Sequence, residues 1–335
     1  MLAGAQGITQ RLMPTTSAIY REITRRVNQT YRTQNVRGFA VQYYIALQVL
    51  VDSLGVDILD ILDQLFPEAT RNGVTFTQDH KWAVTDGIVE ASHSLGGVNV
   101  ASCLARIIFF AHAMYDLEIA NVDNLQRVKN FCTSSQLKKR PFERTYYEIV
   151  VAAKFARRAR EVEFVQENTR KTIFHRKTKT PDFLVLDRSN WISVECKSNV
   201  FKDLDSITVP IIRTKRATDR FKEACTQVQE YGEVTGRHGI IFVQYFDNRY
   251  VQEDKEDMRD FIIDEIRNYR FVEGGGFTYD VFDKRFVHAT TEYFGAVKDP
   301  QFFSPGMLRA LSFQNPIETE VWSEHSFDNW PYNNS

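Results

Sequence analysis

Asp182, Glu195 and Lys197 are the residues of this 335-residue chain whose types and spacing best suit chemistry on a bound cation. Asp182 follows Pro181, and Glu195 and Lys197 flank Cys196. Between them the sequence reads as two short strands, Phe183–Leu186 and Trp191–Lys197, joined by a polar turn at Asp187–Asn190. Strand side chains alternate faces, which gives Ile192, Val194 and Cys196 an apolar side. Ser193, Glu195 and Lys197 then share the opposite side and are expected to turn outward. A hairpin returns Glu195 and Lys197 to the level of Asp182. Two carboxylates and an ammonium at one end of a hairpin suit a hard divalent cation and its water.

Spacing alone carries little, because Glu253-Asp254-Lys255 has the same E-x-K form in a run of charges without apolar alternation. The first triplet differs by its context. Pro181-Asp182, twelve intervening residues and Glu195-Cys196-Lys197 together resemble the PD-(D/E)XK nuclease superfamily. The resemblance implies an α/β, restriction-endonuclease-like fold, with an αβββαβ core whose mixed central sheet is flanked by helices. It also implies metal-dependent hydrolysis of phosphodiester bonds in DNA, with Mg2+ or Mn2+ as the cofactor. Glu195 and Asp182 would be metal ligands, the Cys196 carbonyl a further one, and Lys197 would orient water or stabilise charge at phosphorus.

A strong helical pattern, Phe142–Ala159, precedes the hairpin, with Pro141 where a helix can begin without losing a bond. Steps of four, three and four from Glu148 reach Ala152, Phe155 and Ala159, so this carboxylate lies on an apolar stripe. A Glu placed there must be paired with a nearby arginine or coordinated. In the superfamily a Glu on the first helix joins the metal site, and Glu148 matches that position. Three carboxylates cannot share a site uncompensated: two like charges ~4 Å apart repel by about 4 kcal/mol at an effective dielectric of 20. At least one would protonate unless a cation is bound.

After Val162–Val165, read as the first strand, and a basic connection Asn168–Lys179 comes the hairpin; Ile207–Ile212 reads as an edge strand or loop because of Pro210. A helix from about Thr214 to Tyr231 and a continuously apolar strand, Gly239–Tyr245, complete the order helix–strand–strand–strand–helix–strand. Gln227 and Tyr231 are one turn apart on one face of that helix. They resemble the Gln-x-x-x-Tyr motif of the RecB-like branch of the superfamily, which adds both to the implied catalytic set. Arg220 lies on the same stripe, and Arg213, Lys215 and Arg216 make this end of the helix a candidate phosphate-binding surface.

The remaining chain offers less chemistry. Residues 1–135 read as a helical accessory domain, with patterns at Ser17–Val27, Phe39–Leu54, Val56–Phe66, Asp79–Ser94, Val98–Tyr115 and Asn124–Cys132. Such a domain could recognise substrate, bind a protein partner or drive homo-oligomerisation. His80, His93 and His112 have no partner at metal-ligand spacing and read as surface or core histidines. Ser134–Arg140 is a polar linker, 141–285 the nuclease-like domain, and 286–335 an aromatic extension that becomes acidic after Arg309. Phe261–Tyr269 reads as a helix closed by a Gly274–Gly276 turn before a strand near Phe277–Phe282.

A net charge of −1 argues against a polycation that coats nucleic acid. The basic residues concentrate instead at 154–179 and 213–222, around the proposed site. Four cysteines without C-x-x-C spacing, no signal peptide and no membrane span fit a reducing, cytoplasmic setting. DNA is the expected partner, with RNA left open because nothing reads a 2′-hydroxyl. The alternative is a noncatalytic nucleic-acid-binding or scaffold module that has kept the fold.

Overall fold

The structure, a computed structural model, describes residues 16–30, 34–54, 98–132, 142–158, 160–165, 180–198, 215–244, 255–283, 288–311, 317–318 and 322–327. The expected helices Val56–Phe66 and Asp79–Ser94, the edge segment Ile207–Ile212, the Ser134–Arg140 linker and the candidate residue Arg213 lie outside these.

Among the described residues four helices come first: α1 (Thr16–Thr30), α2 (Gln34–Leu54), α3 (Val98–Ile119) and α4 (Leu125–Phe131). Then follow α5 (Phe142–Ala156), β1 (Val162–Phe164), β2 (Phe183–Asp187), β3 (Asn190–Lys197), α6 (Lys215–Thr235) and β4 (Gly239–Gln244). The chain continues through α7 (Lys255–Ile266), β5 (Val272–Asp283), β6 (His288–Val297), α8 (Pro305–Ala310) and the short β7 (Ile317–Glu318). The described strands form one seven-stranded sheet in sequence order. β3–β4 and β4–β5 are parallel, and the outer pairs are antiparallel. The protein is thus α/β with a mixed sheet. No described helix is long and apolar enough to cross a membrane.

The parallel pairs explain the layering. β3 and β5 flank β4, so α6 and α7 are successive crossovers in one direction. The right-handed rule places both on the same face of the sheet. There Phe221, Cys225 and Val228 of α6 and Met258, Ile262 and Ile266 of α7 pack on Ile241, Val243 and Phe277. On the other face Phe155 of α5 meets Phe183 and Phe242 edge-on, within a core that also holds Ile192, Val194, Cys196 and Ile240.

One expectation is corrected here. Gly274–Gly276 is strand, not a turn: all three glycines pair within β5, and a Cβ on Gly275 would come 2.8 Å from the Phe221 ring. Glycine is needed there because α6 lies against bare backbone. β5 and β6 pair antiparallel from Gly274–Val297 to Asp283–His288. Among the described residues, the helices before the sheet share a core with it. One cluster runs from Ile23 and Tyr43 through Phe109 and Phe155 to Trp322. Trp322 stacks on buried His112 at 3.6 Å between ring centroids, and Gln42 holds its backbone from both sides, donating to its carbonyl and accepting from its N–H. The described part of the extension therefore packs on the core.

Candidate active site

β2 and β3 part at Pro181. Continuing their register by two residues sets Pro181, which has no N–H, opposite Cys196. The Asp182 N–H makes the last ladder bond, to Val194 O at 3.0 Å, and its carboxylate takes the N–H of Cys196 at 2.8 Å. Asp182 is thereby fixed against the backbone of the E-x-K triplet. The Cys196 side chain lies in the apolar core, and burial together with the Asp182, Glu148 and Glu195 charges pushes its thiol far up, so it stays protonated.

Glu195 and Lys197 share the face of their β4 neighbours Ile241 and Val243, as alternation requires, but that face is covered by α6. The expected outward orientation is therefore corrected: Glu195 is 0% exposed and Lys197 is buried. Gln227 of α6 makes this tolerable. Its amide donates to Glu195 Oε2 at 2.8 Å and to the Thr180 carbonyl at 3.0 Å, and it accepts from Lys197 Nζ at 3.0 Å. Lys197 Nζ also lies 2.7 Å from Glu195 Oε1 and 3.8 Å from Glu223. The contact with Oε1 is an ion pair, and among the described residues this buried oxygen has no other polar partner.

Glu148 reaches the site from α5, on the far side of the Asp182 carboxylate. Arg144, one turn earlier, bridges them: its Nε lies 3.4 Å from Glu148 and a terminal nitrogen 4.0 Å from Asp182. Burial works against the Arg144 charge, but Asp182, Glu148 and Glu195 hold its proton more tightly than usual. Three carboxylates thus face two cations. The expected protonation falls on Glu195, which burial and the Asp182 charge push up to about 8 against the pull of Lys197 and Arg144.

Not every candidate gathers here. Because α6 connects parallel strands it runs antiparallel to them, and Gln227 lies level with the carboxylates. Tyr231, one turn on, is carried away from them. It packs with Val165 and Leu184 and accepts a hydrogen bond from Arg237. Arg220, two turns the other way, is half-exposed and bound to Glu223 at 2.9 Å. Lys215 and Arg216 begin α6, and their side chains lie outside the described residues. Arg144 and Glu223 did not figure among the sequence candidates. Each stands four residues before one that did, Glu148 and Gln227, so helical spacing was the signal that pointed to them.

The donors fit a hard divalent cation in kind, since all are carboxylate or carbonyl oxygens and, among the described residues, the buried Glu195 Oε1 meets only the Lys197 ammonium. Among the described residues, no group of three or more Asp, Glu, His or Cys is arranged to hold a metal ion. Arg144 stands where two of the acids would have to close. A scan against protein-family models, a search of curated proteins and a search of solved structures found no match to this chain.

Proposed function

We propose that this protein is a metal-dependent nuclease of the PD-(D/E)XK type, hydrolysing phosphodiester bonds in DNA. One observation carries the reading. Asp182, Glu195 and Lys197 meet where β2 and β3 part, with Glu148 brought to the same place by α5 and all four residues buried. Burying this much charge costs several kcal/mol per uncompensated ion, a large cost for a purely structural feature. The order α5-β1-β2-β3-α6-β4, antiparallel up to β3 and parallel to β4, supports the restriction-endonuclease-like core.

Glu148, Asp182 and Glu195, with the Cys196 carbonyl, would hold Mg2+ or Mn2+, which supplies Lewis acidity toward the phosphoryl oxygen and an acidified water. The chain's own groups do the rest. Gln227 fixes the Glu195 carboxylate and the Lys197 ammonium relative to one another. Lys197 places a compact positive charge beside Glu195, suited to orienting water and stabilising charge on phosphorus. Arg220, at the outer end of α6, is half-exposed and suits a flanking phosphate.

Linear, circular and single-stranded DNA and RNA, each with Mg2+, Mn2+ or chelator, form the test. Cleavage of DNA should require the ion and disappear in Glu195→Ala and Lys197→Ala variants that keep the wild-type circular dichroism. Wild-type rates in both variants, or no ion-dependent cleavage of any substrate, would reject the assignment. One observation favours a noncatalytic nucleic-acid-binding module instead: Arg144 already bridges two of the acids. That reading expects DNA binding indifferent to divalent ions.

A further inference from the structure

Arg144 is placed unlike any other cation of the site. Lys197 is buried and held by Glu195 and Gln227. Arg144 spans Glu148 and Asp182 at 3.4 and 4.0 Å, longer than good charge-assisted hydrogen bonds, and its side chain is 47% exposed. It is attached loosely and has solvent to move into. Charge balance adds a direction. A divalent ion and Lys197 together neutralise three ionised carboxylates, which leaves the guanidinium as surplus positive charge beside the ion. A phosphodiester arriving at the site brings the single negative charge that the surplus lacks.

Resting on the nuclease reading above, we propose that Arg144 is an exchangeable counter-ion: it bridges Glu148 and Asp182 until a divalent cation displaces it, and it then pairs with the substrate phosphate. The same side chain competes with the metal and recruits the DNA. A guanidinium suits the second role because its fork matches two phosphate oxygens. The exchange couples the two ligands, since DNA draws away the group that opposes the ion, so each should bind more tightly when the other is present.

The test is calorimetric titration of Mn2+ into wild type, Arg144→Ala and Arg144→Lys, alone and with a short duplex whose linkages are phosphorothioate. Arg144→Ala should bind Mn2+ about tenfold or more tightly than wild type, and Arg144→Lys should fall between them. With Mn2+ present, Arg144→Ala should bind the duplex more weakly, with a salt slope smaller by about one. The tightening of Mn2+ binding by duplex, present in wild type, should be lost. Mn2+ affinity equal to or weaker than wild type in Arg144→Ala overturns this inference while leaving the nuclease reading intact. Absence of Mn2+ binding in the wild type overturns both.

Discussion

Glu195→Gln should stabilise the metal-free protein, and the gain should grow with pH. The carboxyl is fully buried and its pKa is pushed from 4.5 up to about 8. Each tenfold is worth about 1.4 kcal/mol, so ionising Glu195 inside the fold costs on the order of 5 kcal/mol more than in the unfolded chain. The sign follows from linkage. The folded protein keeps a proton that the unfolded chain releases near pH 4.5, so stability is complete below that pH and declines as pH rises toward 8. Wild type should therefore lose about 1 kcal/mol by pH 5 and about 3 kcal/mol by pH 7 relative to acid. An amide has the shape of the neutral acid and cannot ionise. Its carbonyl oxygen can still accept from the Gln227 amide, as Glu195 Oε2 does. Urea unfolding of the metal-free proteins at about pH 5, 7 and 8.5 is the assay, with the difference between the two proteins as its readout. Equal stability throughout, or a gap that narrows with pH, would refute the account of Glu195 as the protonated member of the cluster. Adding Mg2+ near pH 8 should raise the melting temperature of wild type alone, since ligation requires the ionised carboxylate.

Lys154 should behave in the opposite sense: burial and the Arg158 charge push its ammonium down to about 7, so the fold prefers it neutral and the wild type gains stability as pH rises from there toward 10.5. Lys154→Met, which keeps contact with the Phe242 ring beneath it, should stabilise by roughly 2–4 kcal/mol near pH 7, and urea unfolding near pH 10 should show the gain shrinking. Gly275→Ala should destabilise by about 1–3 kcal/mol, because its methyl would meet Phe221 at 2.8 Å. A urea midpoint equal to wild type would mean that α6 is not seated on the β5 backbone.

Local periodicity carried far in this chain. The hairpin was legible because alternation from Ile192 to Lys197 and the turn after Asp187 are set by neighbouring residues, and the strands Phe183–Asp187 and Asn190–Lys197 lie within one or two residues of those expected. The 3.6-residue stripe that carries Glu148, and the helix that carries Gln227, were legible for the same reason. Phe277–Phe282 was visible as strand but its first half was not, since glycine has no pattern to read and its meaning there is the ring of Phe221 packed against it.

What the sequence by itself determined was the set of groups on each element: a carboxylate and an ammonium two apart, an acid before the strand, and an acid on an apolar helical stripe. What only the tertiary structure decided was their surroundings. Two crossovers of the same hand laid α6 over the polar side of β3, which buried Glu195 and made Gln227 its partner while turning Tyr231 elsewhere. Strand alternation says which side chains share a face, whereas the handedness and packing of distant segments say what covers that face. Electrostatics depends on the second, because the same carboxylate that would titrate ordinarily in water keeps its proton to about pH 8 when a helix excludes the solvent.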